Sequence, residues 1–335
     1  MAPVGFFGVL DETRRIIHAH SRHFLGLSVL FLLPISFLSV ASPTFKSSFI
    51  DENPNDNQPH QRVEELLRRG AEGFSPGNGG ILIKSVVFYL VYTALLMVLN
   101  ICATSTIVCS INNGFFGRPV KFLDAIASIP SSSWRLFLTI LSMNAIIMGS
   151  FLLIGVALAL VLQAFSALGF QFSSPPITAP FIIAFSVMAV LGGLYVQVNW
   201  AVAFVIAVVE GSWGIEPLRR SAYLMKGMRT VPLFLTLFFS LGGLVLWWVS
   251  VDWLDLQSNF SKDPWNFPHK IAMSVLVLAS MTVLLLYGFG SIAVLYLYSK
   301  ALHNELASAI VKEFSQEYMS LPFDEHKVPH VVTVV

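Results

Sequence analysis

Charge is scarce in this chain. Asp, Glu, Lys and Arg together make up 12% of its 335 residues, against roughly 25% in ordinary soluble domains. The 20 cationic and 19 acidic side chains nearly cancel, to a formal net charge of +1, and no nucleic-acid partner is expected. Cysteine is almost missing too. Cys102 and Cys109 are the only two, and a seven-residue separation on one helix puts their Cα atoms about 10 Å apart, outside disulfide geometry. They read as apolar packing residues. No HExxH, GxSxG, phosphate loop or redox-spaced thiol pair occurs, and each of those motifs carries a specific chemistry. Catalytic residues, metal ligands and cofactor-binding residues are therefore not expected, and the chain does not read as an enzyme.

What the sequence has in quantity is apolar surface: 55% hydrophobic residues and a mean hydropathy of +0.73. Apolar runs lie at about 24–42, 81–110, 136–163, 180–209, 231–251 and 271–299, with Lys84 the one charge, near the start of the second. Each approaches or exceeds the roughly 20 residues a helix needs to cross a bilayer. The expected fold class is an all-α integral membrane protein with six transmembrane helices in one polytopic domain, an outer polar loop at 43–80 and a cytoplasmic tail at 300–335. Four of the six runs are longer than a perpendicular crossing requires, so tilted, kinked or projecting helices are expected.

Orientation follows from Lys and Arg near the span ends. Arg14, Arg15 and Arg22 precede span 1; Arg118, Lys121 and Arg135 lie between spans 2 and 3; Arg219, Arg220, Lys226 and Arg229 lie between spans 4 and 5. The tail adds Lys300, Lys312 and Lys327. Both termini are expected in the cytoplasm, and the first span reads as a retained signal anchor. The 43–80 loop carries Lys46, Arg62, Arg68 and Arg69, but mixed with six acidic residues and mostly away from the span ends. Asn259 opens an Asn-Phe-Ser glycosylation sequon on the expected outer side. No retention or lipidation signal is present, so endoplasmic reticulum and plasma membrane are both compatible.

One motif repeats. GFFG occurs at Gly5–Gly8 and again at Gly114–Gly117, and GSWG at Gly211–Gly214. Each copy precedes a mixed segment and then an odd-numbered span. In the first, Val9, Thr13, Ile16, Ile17, His20 and Phe24 share helical spacing, apart from Asp11, Glu12, Arg14 and Arg15. In the second, Val120, Leu123, Ile126 and Ala127 oppose Lys121, Asp124 and Ser128. In the third, Leu218, Ala222, Met225 and Met228 oppose Arg219, Arg220 and Lys226. Pro119 and Pro217 fall where helices tolerate a missing backbone donor. The expectation is three cytoplasmic interfacial amphipathic helices in a triplicated hairpin unit: glycine-aromatic turn, interfacial helix, two spans.

The third copy and its lead-in, AVVEGSWGIEPLRRSAYLMKG, resemble the membrane domain found beside some bacterial glycerophosphoryl diester phosphodiesterases and in YciC-type bacterial membrane proteins. The whole chain is similar to six-span membrane proteins of plants that have no assigned activity. The matching positions are Glu210, Gly211, Leu218, Arg219, Arg220, Ser221, Lys226 and Gly227. The resemblance implies a helical membrane domain, sometimes linked to phospholipid headgroup metabolism. It implies no catalysis, since the phosphodiesterase reaction belongs to a separate soluble barrel for which this chain has no room.

Polar residues within or beside the spans are the candidate site residues. Asn100, Asn144, Gln197 and Asn199 form a candidate intramembrane polar cluster, either an interhelical amide network or the lining of a polar cavity. Glu210 could latch Arg219 or Arg220 and so hold an interfacial helix against the end of span 4. Arg219, Arg220, Lys226 and Arg229 are candidate contacts for anionic lipid headgroups. His18, His20 and His23 lie close together, but only the last two share a ligand-compatible spacing and nothing nearby completes a site. Gly192 with Gly193 is the one mid-span pair that suggests a break. Small residues such as Ala94, Ser105, Ala279, Ser280, Gly288, Gly290 and Ser291 permit close helix approach or self-association. Thr333 and Val335 end the chain in a generic carboxylate-recognition pattern. The expected role is an accessory or scaffold that organises membrane lipids or membrane protein partners at the cytoplasmic face. The alternative is a transporter or channel for a lipid or amphipathic solute.

Overall fold

The computed structural model describes residues 5–50, 79–118, 120–167, 175–257, 267–303 and 305. Among them every regular element is a helix. Six stretches are long and apolar enough to cross a membrane: Ser21–Ser42, Ile83–Phe115, Phe122–Val161, Ile183–Val209, Thr230–Ser250 and Ile271–Leu302. Asn259, Thr333, Val335, Pro119 and most of the 43–80 loop and 300–335 tail lie outside the described residues.

Helix α1, Phe6–Ala19, starts from extended Gly5 and buries Val9, Thr13, Ile16 and Ile17, while Asp11, Arg14 and Arg15 are exposed. A single non-helical residue, His20, separates it from α2, Ser21–Leu27. A π-helical turn follows at Ser28–Leu32, in which the Leu33 N–H donates to the Ser28 carbonyl, and then α3, Leu33–Ile50. Pro34 explains the wide turn: it has no N–H to give the carbonyl four residues back, and its ring pushes that carbonyl away.

Helix α4, Gly79–Phe115, packs against α3 and against α5, Phe122–Ala167. The sequence places an independent interfacial helix before span 3, but α5 runs unbroken through Pro130. Hydroxyls accompany that proline: Ser131 and Ser133 donate to the Ser128 and Pro130 carbonyls, and Ser128 meets Ser105 of α4 at 3.2 Å. The expected apolar face is also corrected here. Leu123 is 78% exposed, and Ala125, Ser132, Leu136 and Thr139 are the buried positions.

Span 4 is two helices, α6, Pro175–Asn199, and α7, Ala203–Val209. The break falls at Trp200–Val202, whereas Gly192 and Gly193 sit inside a continuous helix. A glycine pair permits a break but does not compel one. Helix α8, Glu216–Leu224, then folds back along α7. Helices α9, Thr230–Gln257, and α10, Phe267–Leu302, form the last hairpin, and α1 lies against both of them. The main core is built from α1, α4, α7 and α10, with Ile107, Ile111, Ile206 and Leu295 fully buried. Much of α5 and α6, by contrast, presents exposed Leu152, Leu153, Met188 and Leu191, as a surface solvated by lipid tails should.

Candidate functional site

The densest polar cluster lies where α7, α8 and α10 meet. Glu210 caps α7, its N–H donating to the Ile206 carbonyl at 2.8 Å. Gly211 then reverses the chain with φ 73°, and a Cβ there would lie 2.9 Å from Arg135 Nη1. The left-handed backbone calls for glycine, whereas the Arg135 guanidinium, at the end of a flexible side chain, could move aside. Pro217 occupies the first turn of α8, where its missing N–H has no helical acceptor to lose. The helix buries Pro217, Leu218, Ser221 and Leu224. Ser221 Oγ donates to the Asn199 carbonyl at 2.8 Å, satisfying an acceptor at the break in span 4.

This docking brings the Glu210 carboxylate to three donors. Tyr296 donates its phenol to Oε1 at 2.8 Å; Lys300 Nζ lies 3.3 Å from Oε1 and Arg220 Nε 3.4 Å from Oε2. Arg220 also donates through Nη2 to Glu305, and Lys300 donates to the Tyr296 oxygen at 3.1 Å. Burial works against the charge on Arg220, but its hydrogen bond to Glu305 and the field of Glu210 outweigh that, so the guanidinium is held above its usual value. The Tyr223 ring stacks obliquely on His303, 5.2 Å between centroids, with the Arg220 guanidinium 5.9 Å from it. Two acids, two bases and a phenol thus fasten α8 to the end of α10.

Of the two arginines the sequence offers Glu210, the structure pairs Arg220 and leaves Arg219 on the exposed side with Lys226. Arg229 is also exposed, its guanidinium 5.9 Å from the Tyr195 ring. The amides do not assemble into the expected cluster. Asn100, Asn144 and Asn199 each donate to the carbonyl four residues back, those of Leu96, Ile140 and Tyr195. Gln197 is exposed on the wall of a cavity of about 610 Å³. An asparagine on a helix reaches its own backbone more cheaply than a neighbour's side chain, and that local bond wins here. His23 Nε2 instead meets Ser110 Oγ at 2.8 Å, tying α2 to α4, and among the described residues no three of His, Cys, Asp and Glu come together.

Two further members of the cluster carry a signal in the sequence. Tyr296 and Lys300 are one helical turn apart on α10, a spacing that puts both on one face. Glu305, in the tail, had none. A second missed feature is an open groove of about 1090 Å³ between α1, α9 and α10.

Six apolar helices of spanning length, with hydrophobic side chains turned outward along them, define a polytopic helical membrane protein. Residues 1–324 match the family model described as Domain of unknown function (DUF8558), and the chain belongs to that family. No curated protein and no solved structure matches it.

Proposed function

We propose that this is a non-catalytic membrane protein, an accessory or scaffold, whose α1- and α8-bearing end faces the cytoplasm and organises lipids or partner proteins there. The observation that carries this reading is the division of labour on α8 and the turns that flank it. Arg220 is locked inward by Glu210 and Glu305, while Arg219, Lys226 and Arg229 remain outward, beside Trp213, Ile215 and Tyr223, which are more than half exposed. Basic and aromatic side chains on the rim of an apolar bundle suit the headgroup layer. Helices α1 and α8, each buried along one side, then serve as interfacial amphipathic helices. The repeated glycine-aromatic turns support a common hairpin unit, degenerate in its second copy, where the interfacial segment is fused to the span. Endoplasmic reticulum and plasma membrane both supply the anionic cytoplasmic leaflet that this requires.

Neutralising Arg219, Lys226 and Arg229 to Gln tests the reading without touching the latch. In proteoliposomes of mixed anionic and zwitterionic lipid, spin-labelled anionic lipid should concentrate around the wild type. Each cation near the surface contributes about 1 kcal/mol, so the triple variant should fall close to the bulk ratio. Enrichment that survives all three changes would end the headgroup role.

A specific observation favours a second reading, a transporter or channel for a lipid or amphipathic solute. The break in span 4 adjoins the cavity lined by Tyr195, Gln197 and Trp200, and substrate sites in transporters gather at broken helices. Transbilayer exchange of a fluorescent phospholipid faster than in protein-free vesicles would select this reading over the scaffold.

A further inference from the structure

The groove between α9 and α10 opens beside α1 and runs away from it along both helices. At the α1 end its walls include Phe238 and Tyr287, and at the far end Leu246 and Ala279. The two pairs stand eight residues apart on their helices, about 12 Å at the helical rise. That is most of one leaflet, since the hydrocarbon core is about 30 Å thick. Gly242 lets Leu284 approach, within 3.1 Å of where a Cβ would stand, so the helices touch there while small Ala279 and Ser280 leave space beside the contact. The sequence suggested close helix approach at those two positions; the structure leaves them lining an open slot.

Away from its mouth the slot is apolar but for the Ser280 hydroxyl. At the mouth α1 contributes Asp11 and Arg14, opposite charges one turn apart and both exposed. The neighbouring Arg15 pairs with Glu12 at 3.6 Å and does not line the groove. An acyl chain fits the walls, and the mouth carries a binding site for each end of a zwitterion. A guanidinium takes a phosphate through paired hydrogen bonds, and a carboxylate takes an ammonium that has N–H to donate. A choline headgroup has the charge but no N–H. An anionic headgroup satisfies Arg14 at the expense of facing Asp11.

We propose that this groove is a site for one phospholipid with a primary-amine zwitterionic headgroup, its phosphate on Arg14, its ammonium on Asp11 and an acyl chain between α9 and α10. The assignment rests on the reading of the α1 end as lying at the membrane interface, and it names the lipid class that end recognises.

The test is native mass spectrometry of the full chain released from nanodiscs holding equal phosphatidylethanolamine, phosphatidylcholine and phosphatidylserine. Wild type should retain one phosphatidylethanolamine about tenfold over phosphatidylcholine, the size of one charge-assisted hydrogen bond. Asp11→Asn should bring that ratio near one with total lipid retained; Arg14→Gln should lower retention of all three; Arg15→Gln should change nothing. Ala279→Phe should empty the slot, and should it fail to fold, the exposed Asp11 and Arg14 variants still decide. Equal retention of the ethanolamine and choline lipids by wild type, a preference for phosphatidylserine that survives changing Arg219, Lys226 and Arg229 to Gln, or an unchanged ratio in Asp11→Asn would overturn the assignment. Enrichment of anionic lipid by Arg219, Lys226 and Arg229 is read separately, so loss of the groove site alone leaves the scaffold reading standing.

Discussion

Glu210→Leu is expected to destabilise the folded bundle by about 2 kcal/mol, the largest loss from any single polar substitution among the described residues. The change removes the common acceptor of Tyr296, Lys300 and Arg220. The Lys300 side chain is only 16% exposed, so its ammonium cannot simply turn to water. Stranding one partner of a fully buried pair costs about 3–5 kcal/mol. The figure is lower here because the Glu210 side chain is 22% and that of Arg220 33% exposed, and because Arg220 keeps Glu305. Unfolding of the wild type, Glu210→Leu, Arg220→Met and the double variant in nanodiscs closes a double-mutant cycle. The double variant should lose less than the sum of the singles by at least about 0.5 kcal/mol, the coupling expected of side chains in contact. Strict additivity would show that the latch contributes nothing as a pair.

The two halves of that latch differ in how far they could be read from the sequence, and the reason is distance along the chain. Glu210 and Arg220 are separated by one glycine-containing turn and about one turn of helix, so local geometry already brings them near. Tyr296 is 86 residues beyond Glu210, and its partner depends on how deeply α10 sits against α7, which no periodicity encodes. The spans themselves were legible because each is a long apolar run, an additive property needing no register. The break at Trp200–Val202 was not, because those residues have no turn chemistry and the acceptor at the break is satisfied by Ser221, from another helix. Asn100, Asn144 and Asn199 show the converse failure. Their depth in the spans was evident, but depth does not say whether an amide turns to a neighbour or, as here, to its own backbone. The groove is not legible in the sequence because small residues read alike whether two helices close on them or part around them.

Gly290→Leu is expected to lift α1 from the bundle. A Cβ on Gly290 would lie 2.8 Å from Thr13 Cγ2 and 3.1 Å from Ile111 Cδ1, and neither neighbour can yield. Thr13 is fully buried and donates its hydroxyl to the Val9 carbonyl at 2.7 Å. Ile111 is fully buried in the main core. Two effects oppose each other. Leucine is the better helix former, by up to about 1 kcal/mol over glycine, whereas overpacking a close contact costs about 1–3 kcal/mol, with three further side-chain atoms still to place. The steric effect wins, and α1 is the element that moves, since it meets α4 at the close contact of Ile16 with Gly114 and has no span of its own to hold it. Hydrogen exchange at Val9–Ile17 should quicken in Gly290→Leu while α10 stays protected. Gly155→Leu is the matched control: nothing lies within 4 Å of its Cβ position, so only the propensity gain remains and α1 should exchange as in the wild type. Equal protection of α1 in both variants would mean that α1 does not depend on this contact. A displaced α1 would also carry Asp11 and Arg14 off the mouth of the groove, so Gly290→Leu should lose its bound lipid together with its α1 protection.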